Sequence, residues 1–133
     1  MANYEQIYRE AVKDNEAFWL DAAAAIDWTE RPKTALDKKN PPLYRWFPDG
    51  KMNTCFNAVD RHVLAGRGTQ NAIIYDSPIT GQKSSTTYAE LKYQTKIFAG
   101  MLASLGVTQG DRVIIYMPMI PEAIVAMLGC ARI

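Results

Sequence analysis

The sequence predicts an α/β fold with a helical, irregular front, and three observations carry that reading. A capping box, Thr87-x-x-Glu90, opens an amphipathic helix directly behind a hairpin pattern. A nearly unbroken apolar run, Val113-Ile114-Ile115-Tyr116-Met117, has the composition of a strand covered on both faces, as in a parallel sheet. Before residue 60, by contrast, short helical patterns give way to a stretch broken by Pro32, Pro41, Pro42, Pro48 and Gly50.

Asn3 is predicted to cap a first helix with Gln6 as its capping-box partner, and Asn15 to cap a second from Glu16 to about Ala25. Residues 29–50 then read as a long ordered arm, held down by Tyr44, Trp46 and Phe47. Thr54 begins a third helix that ends at Gly66, where glycine suits a left-handed cap. Ala72–Tyr75 and Ser84–Thr87 form a hairpin around Ser77-Pro78-Ile79-Thr80-Gly81.

The helix behind Thr87 carries Leu91, Phe98, Met101, Leu102 and Leu105 on one stripe, and Gly106 stops it. Gly110-Asp111 leads into the apolar run, after which Pro121 suits the first position of a last helix. Alternating strands and helices of this kind belong to layers built from right-handed crossovers. Ala131-Arg132-Ile133 offers neither cap nor breaker, so the pattern reads as cut within a longer fold.

Composition narrows the function classes. Of the 133 residues, 48% are hydrophobic and 22% charged, a globular balance. Fifteen basic against fourteen acidic residues, with no long block of one sign, give no electrostatic support for a nucleic-acid or membrane-surface partner. The stretch from Val113 to Ala131 carries one charge, Glu122, but Pro118 and Pro121 divide it into halves too short to span a bilayer. The sequence turns acidic at Glu5 without an apolar or Arg-rich leader, and the expected location is the cytoplasm. Cys55 and Cys130 leave one long-range disulfide open, but a secreted framework is denser in cysteine.

Candidate constellations are few. Cys55 and His62 lie seven residues apart on one predicted helix, about 10.5 Å of rise. A nucleophile and its base need heavy atoms roughly 3 Å apart, so the pair reads as structural. With one histidine and two distant cysteines the chain lacks a zinc ligand set. Gly66-Arg67-Gly68 ends a helix and precedes a strand, the reverse of a phosphate loop, and is turn chemistry. The carboxyl end of the apolar run, Met117-Pro118-Met119, can wall an apolar slot but offers nothing to hold a phosphate. Asp111 and Arg112 lie at its other end, where a structural role is expected.

Three blocks in order resemble one family. The first runs from Trp46-Phe47-Pro48-Asp49-Gly50 through Asn53-Thr54-Cys55 to Asn57-Ala58-Val59-Asp60-Arg61-His62. The second runs from Thr87-Tyr88-Ala89-Glu90-Leu91 to Gly110-Asp111-Arg112-Val113, and the third from Tyr116-Met117-Pro118 to Cys130-Ala131-Arg132-Ile133. They resemble the start of the acetyl-CoA and propionyl-CoA synthetases, in the adenylate-forming superfamily. Residues 46–50 with 74–81 look more like the propionyl-CoA branch.

The resemblance implies a front piece of a short-chain acyl-CoA synthetase, an AMP-forming acid–thiol ligase. Such an enzyme activates propionate or acetate with ATP and Mg²⁺ to an acyl-adenylate, then passes the acyl group to CoA. It also implies a cap segment over residues 1–60 and the beginning of the AMP-binding domain over 61–133. The family's phosphate loop, adenine and CoA contacts and late lysine fall after the position of Ile133. No catalytic, cofactor-binding or metal-ligating residue therefore carries over to this chain, which is expected to be inactive alone and to bind none of these ligands. Its unpaired sheet edge is expected to favour self-association. A stand-alone binding module that shares this front end is the alternative from another class. A flavodoxin-type protein would need an anion loop or acidic cluster at the strand ends, and neither is present.

Overall fold

A computed structural model describes residues 3–133, which divide into two compact units, 3–52 and 53–133. In the first, α1 (Tyr4–Lys13) and α2 (Asn15–Ala22) are followed by a 3₁₀ turn, Ala23–Ala25. Asn3 caps α1 by accepting from the Glu5 N–H. Gln6 does not return the bond: its Nε2 reaches forward to Glu10 instead. Asp14, rather than Asn15, caps α2, its Oδ1 accepting from the Ala17 N–H at 2.9 Å. The alanine run after Ala22 tightens to 3₁₀ geometry and ends at Ile26, whose backbone is extended.

The arm that follows is ordered by polar backbone contacts. Asp49 accepts from the N–H groups of Lys33 and Thr34, and Glu16 Oε1 accepts from that of Ala35. A two-residue ladder pairs β1 (Leu36–Asp37) antiparallel to β2 (Arg45–Trp46), and an isolated bridge joins Glu30 to Lys51. Trp46 meets Trp19 edge-on at 5.4 Å between centroids, and Phe47 lies 5.5 Å from Trp28. Phe47 adopts φ 47°, a left-handed backbone rarely taken by a bulky residue. Its ring contacts and the bond from its N–H to Ala35 O (2.8 Å) oppose that strain. Gly50 permits a close approach: a Cβ there would come within 2.7 Å of the Trp28 ring.

The second unit opens with a helical stretch, 54–67, that departs from α geometry. Two five-residue π segments, Phe56–Asp60 and Val63–Arg67, interrupt it, and Gly66 (φ 79°) ends it as predicted. The hairpin follows: β3 (Asn71–Asp76) pairs antiparallel with β4 (Lys83–Thr87), with a bulge between Asn71 and Ile73. Gly81, at φ 69°, closes the connecting turn.

Helix α3 (Tyr88–Ser104) carries the full capping box. Thr87 Oγ1 accepts from the Glu90 N–H, and Glu90 Oε2 accepts from the Thr87 N–H at 2.7 Å. The N–H groups of Tyr88 and Ala89 bond to Gln70 O and Gly68 O, so orphan donors of its first turn are satisfied by the preceding turn. At the other end Gly106 (φ 89°) sits in a Schellman motif: Val107 N–H bonds Leu102 O, and Gly106 N–H bonds Ala103 O. The buried positions are Leu91, Thr95, Ala99 and Leu102, whereas Met101 and Leu105 of the predicted stripe are exposed. Thr95 is tolerated inside because its hydroxyl donates to the carbonyls of Leu91 and Lys92.

Helix α4 (Pro121–Arg132) begins with proline at its first turn, as predicted. It crosses α3 so closely that a Cβ on Gly129 would fall 2.5 Å from Phe98. Cys55, Val59 and Leu91 form the core, with Ala72, Ile73, Val125 and Leu128 packed against it.

The run Val113–Met117 departs from expectation. It forms no ladder, and Ile114 (91% exposed) and Tyr116 (100%) project into solvent. The described residues thus make helices and two small antiparallel sheets, without a parallel pair. An apolar run fixes a preference for extended backbone, but a strand needs a partner with free backbone donors and acceptors. The hairpin pairs only within itself, and no other described segment supplies one.

Glu90 is held below the usual carboxylate range by the Thr87 N–H and then by the Thr87 hydroxyl. Its contribution to stability is therefore complete above the unfolded pKa and fades as pH falls through the lower folded value. Thr87→Ala should cost about 1 kcal/mol at pH 7, a typical cap loss. In urea denaturation, Glu90→Gln should flatten the decline in stability between pH 5 and pH 3. An unchanged acid limb would remove the capping box from the account.

Candidate functional site

The second unit contains a cleft of about 450 Å³ between β4, α3 and the start of α4. Ser84 and Thr86 line one wall, Gln94 and Phe98 another, and Met117, Pro121, Glu122 and Val125 complete it. Alternation along β4 brings Ser84 and Thr86 to the same face, while Gln94 and Phe98 are one helical turn apart on α3. The floor is apolar, with two hydroxyls, an amide and one carboxylate. No lysine, arginine or histidine lines it, so a phosphate would meet Glu122 without a compensating cation. A smaller depression of about 300 Å³ lies against Tyr116, Met117 and Pro118. Met117 borders both and Pro118 the smaller one, while Met119 of the expected slot lines neither and stands 88% exposed.

The densest electrostatic feature lies elsewhere in this unit. Asp60, 7% exposed, receives the Arg132 guanidinium at 2.6 Å on Oδ2 and Lys92 Nζ at 3.5 Å on Oδ1. One carboxylate thus joins the stretch 54–67 to α3 and α4. Asn53 adds a second tie, its Nδ2 donating to Arg132 O at 3.1 Å. This arrangement was not legible in the sequence, where Asp60 and Arg132 stand 72 positions apart.

The predicted residues take up separate positions. Cys55 is fully buried in the core, whereas His62 is half-buried, 5.0 Å from the Tyr88 ring and against Arg67. Desolvation first, and then the charges of Arg67 and Arg61, hold His62 below its ordinary pKa. Its Nδ1 faces the Arg67 guanidinium and is therefore an acceptor, not a base directed at a thiol. Both cysteines are free, which closes the disulfide question for this structure. Asp111 accepts from the Thr108 N–H and hydroxyl, which lower its pKa and tie the turn before Val113. Among the described residues no group of three or more His, Cys, Asp or Glu side chains is placed to hold a metal ion. No described helix is long and apolar enough to cross a membrane.

Comparison with known proteins divides the chain almost where its composition changes. Residues 4–58 match the family model described as acetyl-coenzyme A synthetase N-terminus, and residues 60–133 match that of AMP-binding enzymes. The human protein named acyl-CoA synthetase short-chain family member 3, mitochondrial, is 46% identical over 99% of this chain, covering 19% of the relative. Acetyl-coenzyme A synthetase of Streptomyces avermitilis is 48% identical over 96% of this chain and 20% of its own length. Among solved structures, acetoacetyl-CoA synthetase from Streptomyces lividans superposes with a TM-score of 0.81 at 29% identity, over 98% of this chain and 20% of that one. The chain therefore spans about a fifth of the length of these relatives.

A thiol-labelling experiment separates the cysteines. Cys130 should react with a soluble disulfide reagent faster than Cys55, and both should react in denaturant, giving two thiols per chain. Cys55→Ala should lower stability without touching chemistry. In an active whole protein turnover should stay within a few-fold, whereas loss of a catalytic thiol would cost ~10²-fold or more.

Proposed function

The chain belongs to the family of AMP-binding enzymes, and from that premise we propose that it is the front of a short-chain acyl-CoA synthetase of the acid–thiol ligase type. One observation carries the reading: a match to the acetyl-coenzyme A synthetase N-terminus runs directly into a match to AMP-binding enzymes, in one chain and in that order. The whole protein would use ATP, Mg²⁺, CoA and a short carboxylate, forming an acyl-adenylate and then a thioester.

This chain's own contribution is a scaffold. The donor set of its cleft does not fit a nucleotide phosphate, because it offers a carboxylate and no cation. It does not fit Mg²⁺ either, for want of converging carboxylates among the described residues. We assign no chemical step to any residue here, and place the groups that contact phosphate and CoA elsewhere in the protein.

Propionate is the proposed acid, on the likeness of residues 46–50 and 74–81 to the propionyl-CoA branch. Acetate is the second reading, favoured by the 48% identity to an acetyl-coenzyme A synthetase. Initial rates of the whole enzyme with propionate, acetate and acetoacetate decide between them. The first reading expects the highest kcat/KM for propionate, and a tenfold advantage for acetate would reverse the order. The isolated 133-residue chain, given propionate, ATP, Mg²⁺ and labelled pyrophosphate, should show no exchange into ATP. Exchange above a no-protein blank would overturn the scaffold assignment.

We also propose that the isolated chain self-associates. Ile114, Tyr116 and Met119 stand 91%, 100% and 88% exposed on one unpaired apolar stretch. Sedimentation over a hundredfold concentration range should show a rising mean mass. A monomer throughout, without binding of a hydrophobic dye, would count against the proposal.

A further inference from the structure

Two of the blocks that give the sequence its family likeness, 46–62 and 116–133, meet in the structure at a single residue, Arg132. Asn53 holds its carbonyl and Asp60 its guanidinium, so the last turn of α4 is gripped at backbone and side chain from the same short segment. We propose that Asn53 and Asp60 form a two-point latch that orders the C-terminal turn of α4, with Lys92 balancing the carboxylate from α3.

Local sequence would not order that turn. Gly129 lies inside it, a poor helix former, and Ile133 after it is β-branched. The two ties to Arg132 supply tertiary contacts that order it.

The latch is built on unusual backbone. Asp60 ends the π segment Phe56–Asp60, where Val59 and Asp60 are both buried although they are adjacent. Val59 enters the core while Asp60 faces the cations. Segments of this kind are rare and appear frequently at functional sites.

The guanidinium geometry agrees. Arg132 binds Asp60 through Nη2, and its buried Nε has no partner among the described residues. A carboxylate free to choose would take Nε and Nη2 together in a fork. Here Oδ1 is directed to Lys92 instead, so Asp60 is shared between two helices rather than optimised for one.

The inference does not depend on which acid the whole protein activates, and its test needs no activity. Hydrogen exchange by mass spectrometry on the dilute 133-residue chain, within the range where sedimentation finds a single species, reads the turn directly. Asp60→Asn should speed exchange in residues 129–133 at least tenfold, while residues 95–102 of α3 and the β3–β4 hairpin change less than twofold. Asn53→Asp keeps the side-chain oxygen that accepts from the Phe56 N–H at 2.9 Å and removes only the bond donated to Arg132 O, so it should give the same regional pattern with smaller amplitude. The double variant Asp60→Asn with Arg132→Gln should exchange there no faster than Asp60→Asn alone. Acceleration spread evenly over the unit in both single variants, or none in 129–133, would overturn the latch.

Discussion

Cys55, Val59 and Leu91 form the seam along which the helical stretch 54–67 meets α3, and the hairpin and α4 dock on it through Ala72, Ile73, Val125 and Leu128. Burying a Val or Leu side chain contributes about 1.5–3 kcal/mol, so few residues stabilise the second unit. Everything else in that unit serves to keep this seam in register. The capping box and the Schellman motif set where α3 starts and stops, and hence which of its faces Leu91, Ala99 and Leu102 occupy. Gly129 lets α4 approach Phe98 closely enough to close the other side. Asp60, the neighbour of Val59, then carries the register outward as charge, to Lys92 and Arg132.

The first unit is held differently. Its buried apolar residues are small, Ala23 and Ala35 foremost, and α1 buries none. A unit of this size has too little interior to rely on apolar burial alone. Asp49 and Glu16 instead tie down the backbone N–H groups of the arm, and Trp19, Trp28, Trp46 and Phe47 interlock by their edges. The bond from the Lys33 N–H first, opposed by desolvation and joined by that from the Thr34 N–H, leaves Asp49 with a lowered pKa. The Glu30–Lys51 ion pair is largely exposed on both partners and contributes little beside the bridge it accompanies.

Asp60 is paired with cations, Asp49, Glu16 and Glu90 accept from backbone N–H groups, and the cleft between β4, α3 and α4 has no cation on its walls. The exposed run at 113–119 has the composition of an interior and the surroundings of a surface.

Much of this was legible in one dimension. Caps and turns depend on residues within about four positions of one another, so Thr87–Glu90, Gly66, Gly81, Gly106 and Pro121 announced their roles. The same locality excluded a Cys55–His62 pair and a phosphate loop at Gly66–Gly68. Where two polar side chains competed for one helix end, as Asp14 and Asn15 did, sequence could not choose, because the backbone direction of the preceding turn decides which oxygen faces the N–H groups. Nor could it show that Val113–Met117 would find no partner, since pairing depends on a second strand. The meeting of Asn53, Asp60, Lys92 and Arg132 belongs to tertiary structure alone. Hydrogen bonds and ion pairs act over about 3–4 Å of space without regard to separation along the chain, and only the packing of α3 and α4 on the 55–59–91 seam brings those four within that range.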